Sequence, residues 1–302
     1  MSLKTPILFL IFNRPDTTQQ VFDEIRKAKP KQLFVAADGA RPHKNEQDLC
    51  ERTRQIVSQI DWDCEVKTLF REQNLGCKMA VSSALDWFFS QVEEGIILED
   101  DILPQPYFFD FCTELLEKYR SNPNVMHISG VNLQLGIERG NQQYYFSEYP
   151  LIWGWASWKR AWVSYDRDLQ DTEQKINETL SKSFVRKGDL KFFQTIMTKV
   201  KANLINTWDY QWLYANIRKE GVTIVPQYSL IKNIGFDERA THTLKTPSWI
   251  KYIVYRPIKE LPIPNEIKID AEADFFYLSL CRNRPTFALF QIRWRYWASK
   301  LN

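Results

Sequence analysis

The sequence has little histidine, no pattern of paired cysteines and no long apolar run. Its five cysteines (Cys50, Cys64, Cys77, Cys112 and Cys281) are odd in number, and none forms a CxxC pair. That excludes a fully paired disulfide framework and leaves no zinc-site spacing. The three histidines, His43, His127 and His242, lie far apart, which disfavours a His-rich metal centre. No apolar stretch approaches the ~20 residues that a membrane-spanning helix needs. Charge of one sign is also scarce: 40 Lys+Arg against 37 Asp+Glu leave +3 over 302 residues. So weak a field does not imply nucleic acid as the main partner.

What is present is ordinary globular material, 44% hydrophobic and 25% charged, long enough for one large domain or two small ones. Aromatics stand out at 14%, with 11 tryptophans; rings in such number suit a carbohydrate or membrane-interface surface, and equally a large core. The segment Pro6–Phe12 follows Lys4 like a short signal peptide. It runs directly into Asn13-Arg14-Pro15 with no small-residue cleavage site, so a buried strand and a cytoplasmic protein are expected.

Short apolar runs alternate with helical patterns through the first third. Strands are expected at 6–12, 32–37, 64–70 and 95–98, and helices at 16–28, 45–59 and 77–91. This alternation predicts an α/β fold with a mostly parallel central sheet flanked by helices. Further on, a helix is expected at 106–120, a strand at 125–129, a charged helical stretch at 171–202, a helix from Trp208 to about Lys219 and a strand at 222–225. Ligands of such sheets bind beyond the carboxyl ends of the strands. Asn13-Arg14, Asp38-Gly39 and Glu99-Asp100-Asp101 all fall there.

Glu99-Asp100-Asp101 is the strongest chemical signal. Three adjacent carboxylates repel one another unless a cation shares them, and hard oxygen donors suit Mn²⁺ or Mg²⁺ bridging to phosphates. A solvated turn is the plainer alternative. Arg14 has the chemistry to neutralise a diphosphate, and Asp38 to accept the imino proton of a uracil-like base. Arg71, Asn74 and Lys78 flank a turn into a helix whose N-terminus favours an anion. Asp209, between Trp208 and Trp212, is either a desolvated general base or a first-turn acid complementing the helix dipole. His242 lies in a polar loop with the reach for a metal or phosphate.

In their order these pieces resemble the A-type-fold nucleotide-diphospho-sugar glycosyltransferases, and more narrowly the inverting N-acetylglucosaminyltransferase I family. The resemblance runs over roughly residues 6–243. It is carried by Ile11-Phe12-Asn13-Arg14, Ala36-Ala37-Asp38-Gly39, Ile97-Leu98-Glu99-Asp100-Asp101-Ile102 with Tyr107-Phe108-Phe109, Trp153-Gly154-Trp155, Thr207-Trp208-Asp209, and the Val225-Pro226 strand leading to Gly235 and His242. It implies a UDP-sugar donor and a glycan or glycolipid acceptor, as in surface polysaccharide synthesis. Asp101 would ligate Mn²⁺ (or Mg²⁺), with His242 as a second metal candidate. Glu99 and Asp100 would contact ribose or donor sugar, Arg14 the phosphates and Asp38 the uracil, with Lys78 a further donor-binding candidate. Asp209 would be the base, and Trp153-Gly154-Trp155 the acceptor side. Residues 1–130 would form the nucleotide-sugar half, 131–245 the acceptor half of the same domain and 246–302 a C-terminal extension.

Other readings stay open. A retaining transferase of the same fold would not use Asp209 as base. A non-catalytic carbohydrate- or membrane-binding module would be indifferent to Mn²⁺ and UDP. A sugar-phosphate nucleotidyltransferase is disfavoured because no Gly-rich loop follows the first strand, and a two-metal phosphohydrolase because no second Asp and His cluster is present. Trp155, Trp158 and Trp162 fit one buried helix face. Phe287, Phe290, Trp294, Trp297 and Leu301 form a 3-4-3-4 seam beside Arg293, Arg295 and Lys300. That basic aromatic helix either rests on an anionic membrane or docks on protein, with Trp249, Tyr252 and Tyr255 favouring the membrane.

Overall fold

The computed structural model of the chain describes residues 2–184, 186–236, 246–258, 260–262, 264 and 266–282. Its first strand, β1 (Ile7–Ile11), lies inside the sheet and is buried along its whole length. Ile7, Phe9 and Ile11 pack into one cluster with Val21, Phe22 and Ile25, while Leu8 and Leu10 pack on the opposite face with Leu85, Phe88 and Trp212. A strand covered on both faces needs apolar residues at every position, which is why this segment reads as a continuous run.

Helix α1 (Pro15–Ala28) opens with Pro at its first turn, where the missing N–H costs nothing. It leads to β2 (Gln32–Ala37), then α2 (Gln47–Gln55), whose chain continues as a tighter turn over Ile56–Gln59. Next come β3 (Glu65–Phe70), α3 (Gly76–Phe89), β4 (Glu94–Glu99), β5 (Ile102–Pro104), α4 (Phe108–Tyr119) and β6 (Val125–Ser129). The expected strands and helices of this part are all present, with ends shifted by a residue or two. Beyond them lie β7 (Tyr144–Ser147), β8 (Trp155–Trp158), the short α5 (Lys159–Trp162), α6 (Glu173–Ser183) and α7 (Lys187–Lys201). The chain continues through α8 (Asp209–Arg218), β9 (Val222–Pro226), β10 (Ile231–Asn233) and α9 (Ala271–Cys281).

Eight strands form one sheet in the order β3-β2-β1-β4-β8-β6-β9-β7. Only β8 and β7 run against the others. The fold is therefore α/β, with a mixed, mostly parallel sheet flanked by helices. Strands β5 and β10 pair antiparallel as a separate ribbon.

One expectation is corrected. The tryptophans 155, 158 and 162 do not share a helix: Trp155 and Trp158 stand on β8, which lies between β4 and β6, Trp155 with strand partners on both sides and Trp158 with Glu94 of β4, and only Trp162 is helical. Three residues apart on a strand, Trp155 and Trp158 enter opposite cores. All three are buried. Of the aromatics expected at a membrane, Trp249 and Tyr252 are half-buried and Tyr255 is exposed. Trp249 stacks on Trp153 at 6.4 Å, and Tyr252 packs against the cluster of Val131, Leu133, Tyr145 and Phe276. The seam at 287–301 lies outside the described residues, as does His242. No helix among the described residues is long and apolar enough to cross a membrane.

Candidate active site at the carboxyl ends of the sheet

From β1 the chain winds outward to β2 and β3 on one side, while β4 lies on the other. The strand order reverses between β1 and β4, and the crevice beyond their carboxyl ends is where open α/β sheets take ligands. Phe12-Asn13-Arg14 rises from one wall and Glu99-Asp100-Asp101 from the other. The two walls are bonded. Phe12 N donates to Asp100 Oδ2 at 3.0 Å, and Arg14 Nη1 donates to Asp101 Oδ2 at 3.1 Å and to Gly235 O at 3.3 Å.

Gly235 arrives from the far side of the chain. The β5–β10 ribbon aligns Asn233 with Ile102, and Ile234 N donates to Asp101 O at 2.9 Å. A Cβ on Gly235 would overlap Asp101 Oδ2 and stand 2.8 Å from Arg14 Nη1, so the close approach requires glycine. Spacing along the chain gave no sign of this contact.

Burial first, then the charges of Asp101, Asp100 and Asp209, hold Glu99 well above the usual carboxylate range. Asp100 is pushed up to about 7, by burial and then Asp101, against the pull of Arg14 and the Phe12 N–H. The charge of Asp209 is also felt at Cys77, whose thiol burial, Glu99, Asp209 and Asp38 push up to about 12. The fold thus brings Asp209 within electrostatic reach of the triplet. It is the first residue of α8, half-exposed beside the buried Trp208, and its carboxylate accepts from Thr207 Oγ1.

The donor set has the chemistry of a hard divalent cation: clustered carboxylate oxygens whose repulsion such an ion relieves. Among the described residues, no three His, Cys, Asp or Glu side chains converge as a protein-only metal cage. An ion at Asp101 would complete its shell from water and phosphate oxygens, the habit of Mg²⁺ at phosphate sites.

Asp38 has both oxygens engaged. Oδ1 accepts from Gly39 N at 3.0 Å and Leu75 N at 2.9 Å, and Oδ2 from Asn74 Nδ2 at 2.9 Å and Gly76 N at 3.0 Å. The anion at the N-terminus of α3 is therefore the carboxylate of Asp38 itself. Lys78, in the first turn of α3, is buried and directed to Asp168 and Asn203.

Within Trp153-Gly154-Trp155 the three residues part company. Trp155 is fully buried, stacked between His127 at 5.0 Å and Trp208 at 5.7 Å, so it has no surface to offer a sugar. Gly154 takes φ +59 with Ile231 filling the space a Cβ would need, and its carbonyl accepts from Gly130 N at 2.7 Å. Trp153 is half-buried, edge-on to Phe236 at 5.7 Å, next to Gly235. His127 belongs to the core. Its Nε2–H donates to Leu151 O at 3.1 Å, while Nδ1 accepts from Trp212 Nε1 at 3.2 Å. Burial pushes it down to about 3, leaving it neutral.

No family model matches the chain, and no curated protein matches it in sequence. Among solved structures, it is similar to mannosyltransferase PcManGT from Pyrobaculum calidifontis in complex with GDP-Man and Mn²⁺: 11% identity over 72% of this chain and 70% of that one, TM-score 0.40. It is similar to apo UDP-glucose pyrophosphorylase, 11% identical over 82% of this chain and 96% of that one, TM-score 0.41. A third likeness is 4-diphosphocytidyl-2C-methyl-D-erythritol synthase from Anaerococcus prevotii, 9% identical over 82% and 96%, TM-score 0.38. These likenesses are distant, and overlaps so loose assign no reaction to the chain.

Proposed function

We propose that this protein is a metal-dependent, inverting glycosyltransferase that moves a sugar from a UDP-sugar to a hydroxyl of a glycan acceptor. The observation that carries the reading is the crevice between β1 and β4, where Arg14 and Asp101 meet across the strand-order reversal with Asp209 in electrostatic reach. The acceptor oxygen bonds to the anomeric carbon as the bond from that carbon to the diphosphate breaks. Asp209 takes the hydroxyl proton, and UDP departs with the electron pair. Arg14 neutralises phosphate charge. Glu99 and Asp100 orient ribose or donor sugar, Asp38 shapes the base pocket by holding the turn at 74–76, and the exposed part of Trp153 offers an apolar face to the acceptor ring. Asp101 would hold Mn²⁺ or Mg²⁺, whose charge would stabilise the leaving diphosphate.

The test is calorimetric titration of UDP with and without Mn²⁺, on wild type and Asp101→Ala. Binding that needs both the metal and Asp101 is expected. Silence of the wild type toward UDP and other nucleotides under every metal condition would overturn the reading.

A further inference from the structure

Lys78 is a second buried cation near the crevice, 8% exposed. Its Nζ donates to Asp168 Oδ1 at 3.0 Å and to Asn203 Oδ1 at 2.9 Å, and its backbone N–H donates to Asn206 Oδ1 at 2.8 Å. Asn203 sits just past the end of α7 at φ +55, a left-handed conformation that asparagine tolerates. Leu204 N there turns back to Lys199 O at 2.9 Å. The ammonium therefore lies at the carbonyl end of α7, where the helix dipole favours a cation. Asn206 in turn lies against Gly76, whose φ is +76 and whose Cβ would stand 2.5 Å from Asn206 Nδ2.

One lysine thus pins two asparagines of a single loop, one through its side chain and one through its backbone. The loop runs straight into Thr207, which donates to Asp209 and whose carbonyl accepts from Gln211 Nε2 at 2.9 Å. The same face of α3 continues the grip. One turn on, Ser82 Oγ accepts from Arg167 Nε at 2.9 Å, and a further turn on, Asp86 Oδ1 accepts from Trp162 Nε1 at 2.8 Å. Between those partners, Tyr165 Oη donates to Trp208 O at 3.2 Å. Asn203 and Asn206 ahead of Asp209, and Trp162 and Arg167 on either side of the Tyr165 that bonds Trp208 O, are therefore tied to α3.

We infer that Lys78 is a positioning residue and not a phosphate ligand: it clamps residues 203–207 onto α3 so that Asp209 is held at the crevice. The inference rests on Asp209 being the acceptor base, and its test separates the two. Lys78→Met keeps the apolar stem and removes the ammonium; Lys78→Arg keeps the charge. Three measurements are made: amide hydrogen exchange, UDP titration with Mn²⁺, and turnover of whichever of UDP-glucose, UDP-galactose or UDP-N-acetylglucosamine the wild type consumes.

In Lys78→Met, amides 203–209 are expected to exchange about tenfold faster, with β1 and β4 unaffected. The Kd for UDP stays within about twofold, while kcat falls about a hundredfold at nearly constant KM, the effect of a misplaced catalytic group. Lys78→Arg recovers part of kcat. A tenfold loss of UDP affinity overturns the inference by making Lys78 a phosphate ligand, and unchanged exchange with unchanged kcat overturns it by making the clamp idle. Should Lys78→Met not fold, Asn203→Gly, which keeps the left-handed backbone and the Asp168 contact but removes the Asn203 bond, must show the same loop-specific exchange and the same loss of kcat. A wild type that binds no UDP, with the loop still released in Lys78→Met, overturns the transferase reading and keeps the clamp.

Discussion

Arg14 Nη1 stands 3.1 Å from Asp101 Oδ2 across the mouth of the β1–β4 crevice, with side-chain exposures of 8% and 23%. The pair joins two strand ends separated by 87 residues of sequence, and the same guanidinium holds Gly235 O. If Arg14 also meets the diphosphate of the donor, Arg14→Met removes charge-assisted hydrogen bonds of about 1.5–3 kcal/mol. UDP affinity at fixed Mn²⁺ is then expected to fall at least about tenfold. Calorimetry checks this, and an unchanged Kd would confine Arg14 to the ion pair.

Gly235→Ala puts a methyl into the space that Asp101 Oδ2 and Arg14 Nη1 occupy. Overpacking of this kind costs about 1–3 kcal/mol, and here the strain falls on the two side chains assigned to metal and phosphate. UDP binding in the presence of Mn²⁺ should weaken sharply, while far-ultraviolet circular dichroism stays that of the wild type. A variant that binds UDP normally would place the nucleotide away from the Arg14–Asp101 pair.

Asp209→Asn is nearly isosteric and keeps an acceptor for Thr207 Oγ1, but it cannot take a proton. General-base catalysis is worth about 10²–10⁴-fold, so turnover should fall by that factor while UDP affinity holds. Substantial residual turnover would instead indicate a retaining enzyme of the same fold.

Stability should depend on pH through Asp274, far from the crevice. Its carboxylate accepts from Ser147 Oγ and Glu148 N where α9 meets β7. Burial pushes it up to about 7 from an ordinary 3.8, outweighing those hydrogen bonds. The folded state therefore holds this proton more tightly than the unfolded chain. Its contribution is complete below about pH 4 and is lost as pH rises through about 7. Denaturant midpoints measured from pH 4 to 8 should decline in the wild type and decline less steeply in Asp274→Asn, the remaining slope belonging to the raised carboxylates Glu99 and Asp100.

Local pattern was enough for the strands and helices of the first half, because each obeys its own periodicity. Ile7–Ile11 needs apolar residues on both faces wherever its neighbours are, and Pro15 starts a helix by its fixed φ. The strand-end location of Arg14, Asp38 and Glu99-Asp100-Asp101 was legible for the same reason. Pairing across the sheet was not. β8 reads like helix because tryptophans three and four apart fit a helical face, and only its insertion between β4 and β6, with hydrogen bonds on both edges, makes it a strand. Burial of Trp155 followed from that insertion.

The sequence by itself determined the layered α/β class and the chemistry of the crevice, since side-chain type and strand-end position are local properties. Only the tertiary structure decided which of those groups meet. It turned Asp38 onto the turn that opens α3 and Lys78 onto the loop before Asp209. It also brought Gly235 against Asp101 through a two-stranded ribbon that joins residues 102–104 to 231–233. Contacts between segments so far apart in the chain depend on the path of the whole backbone, and no local spacing encodes them.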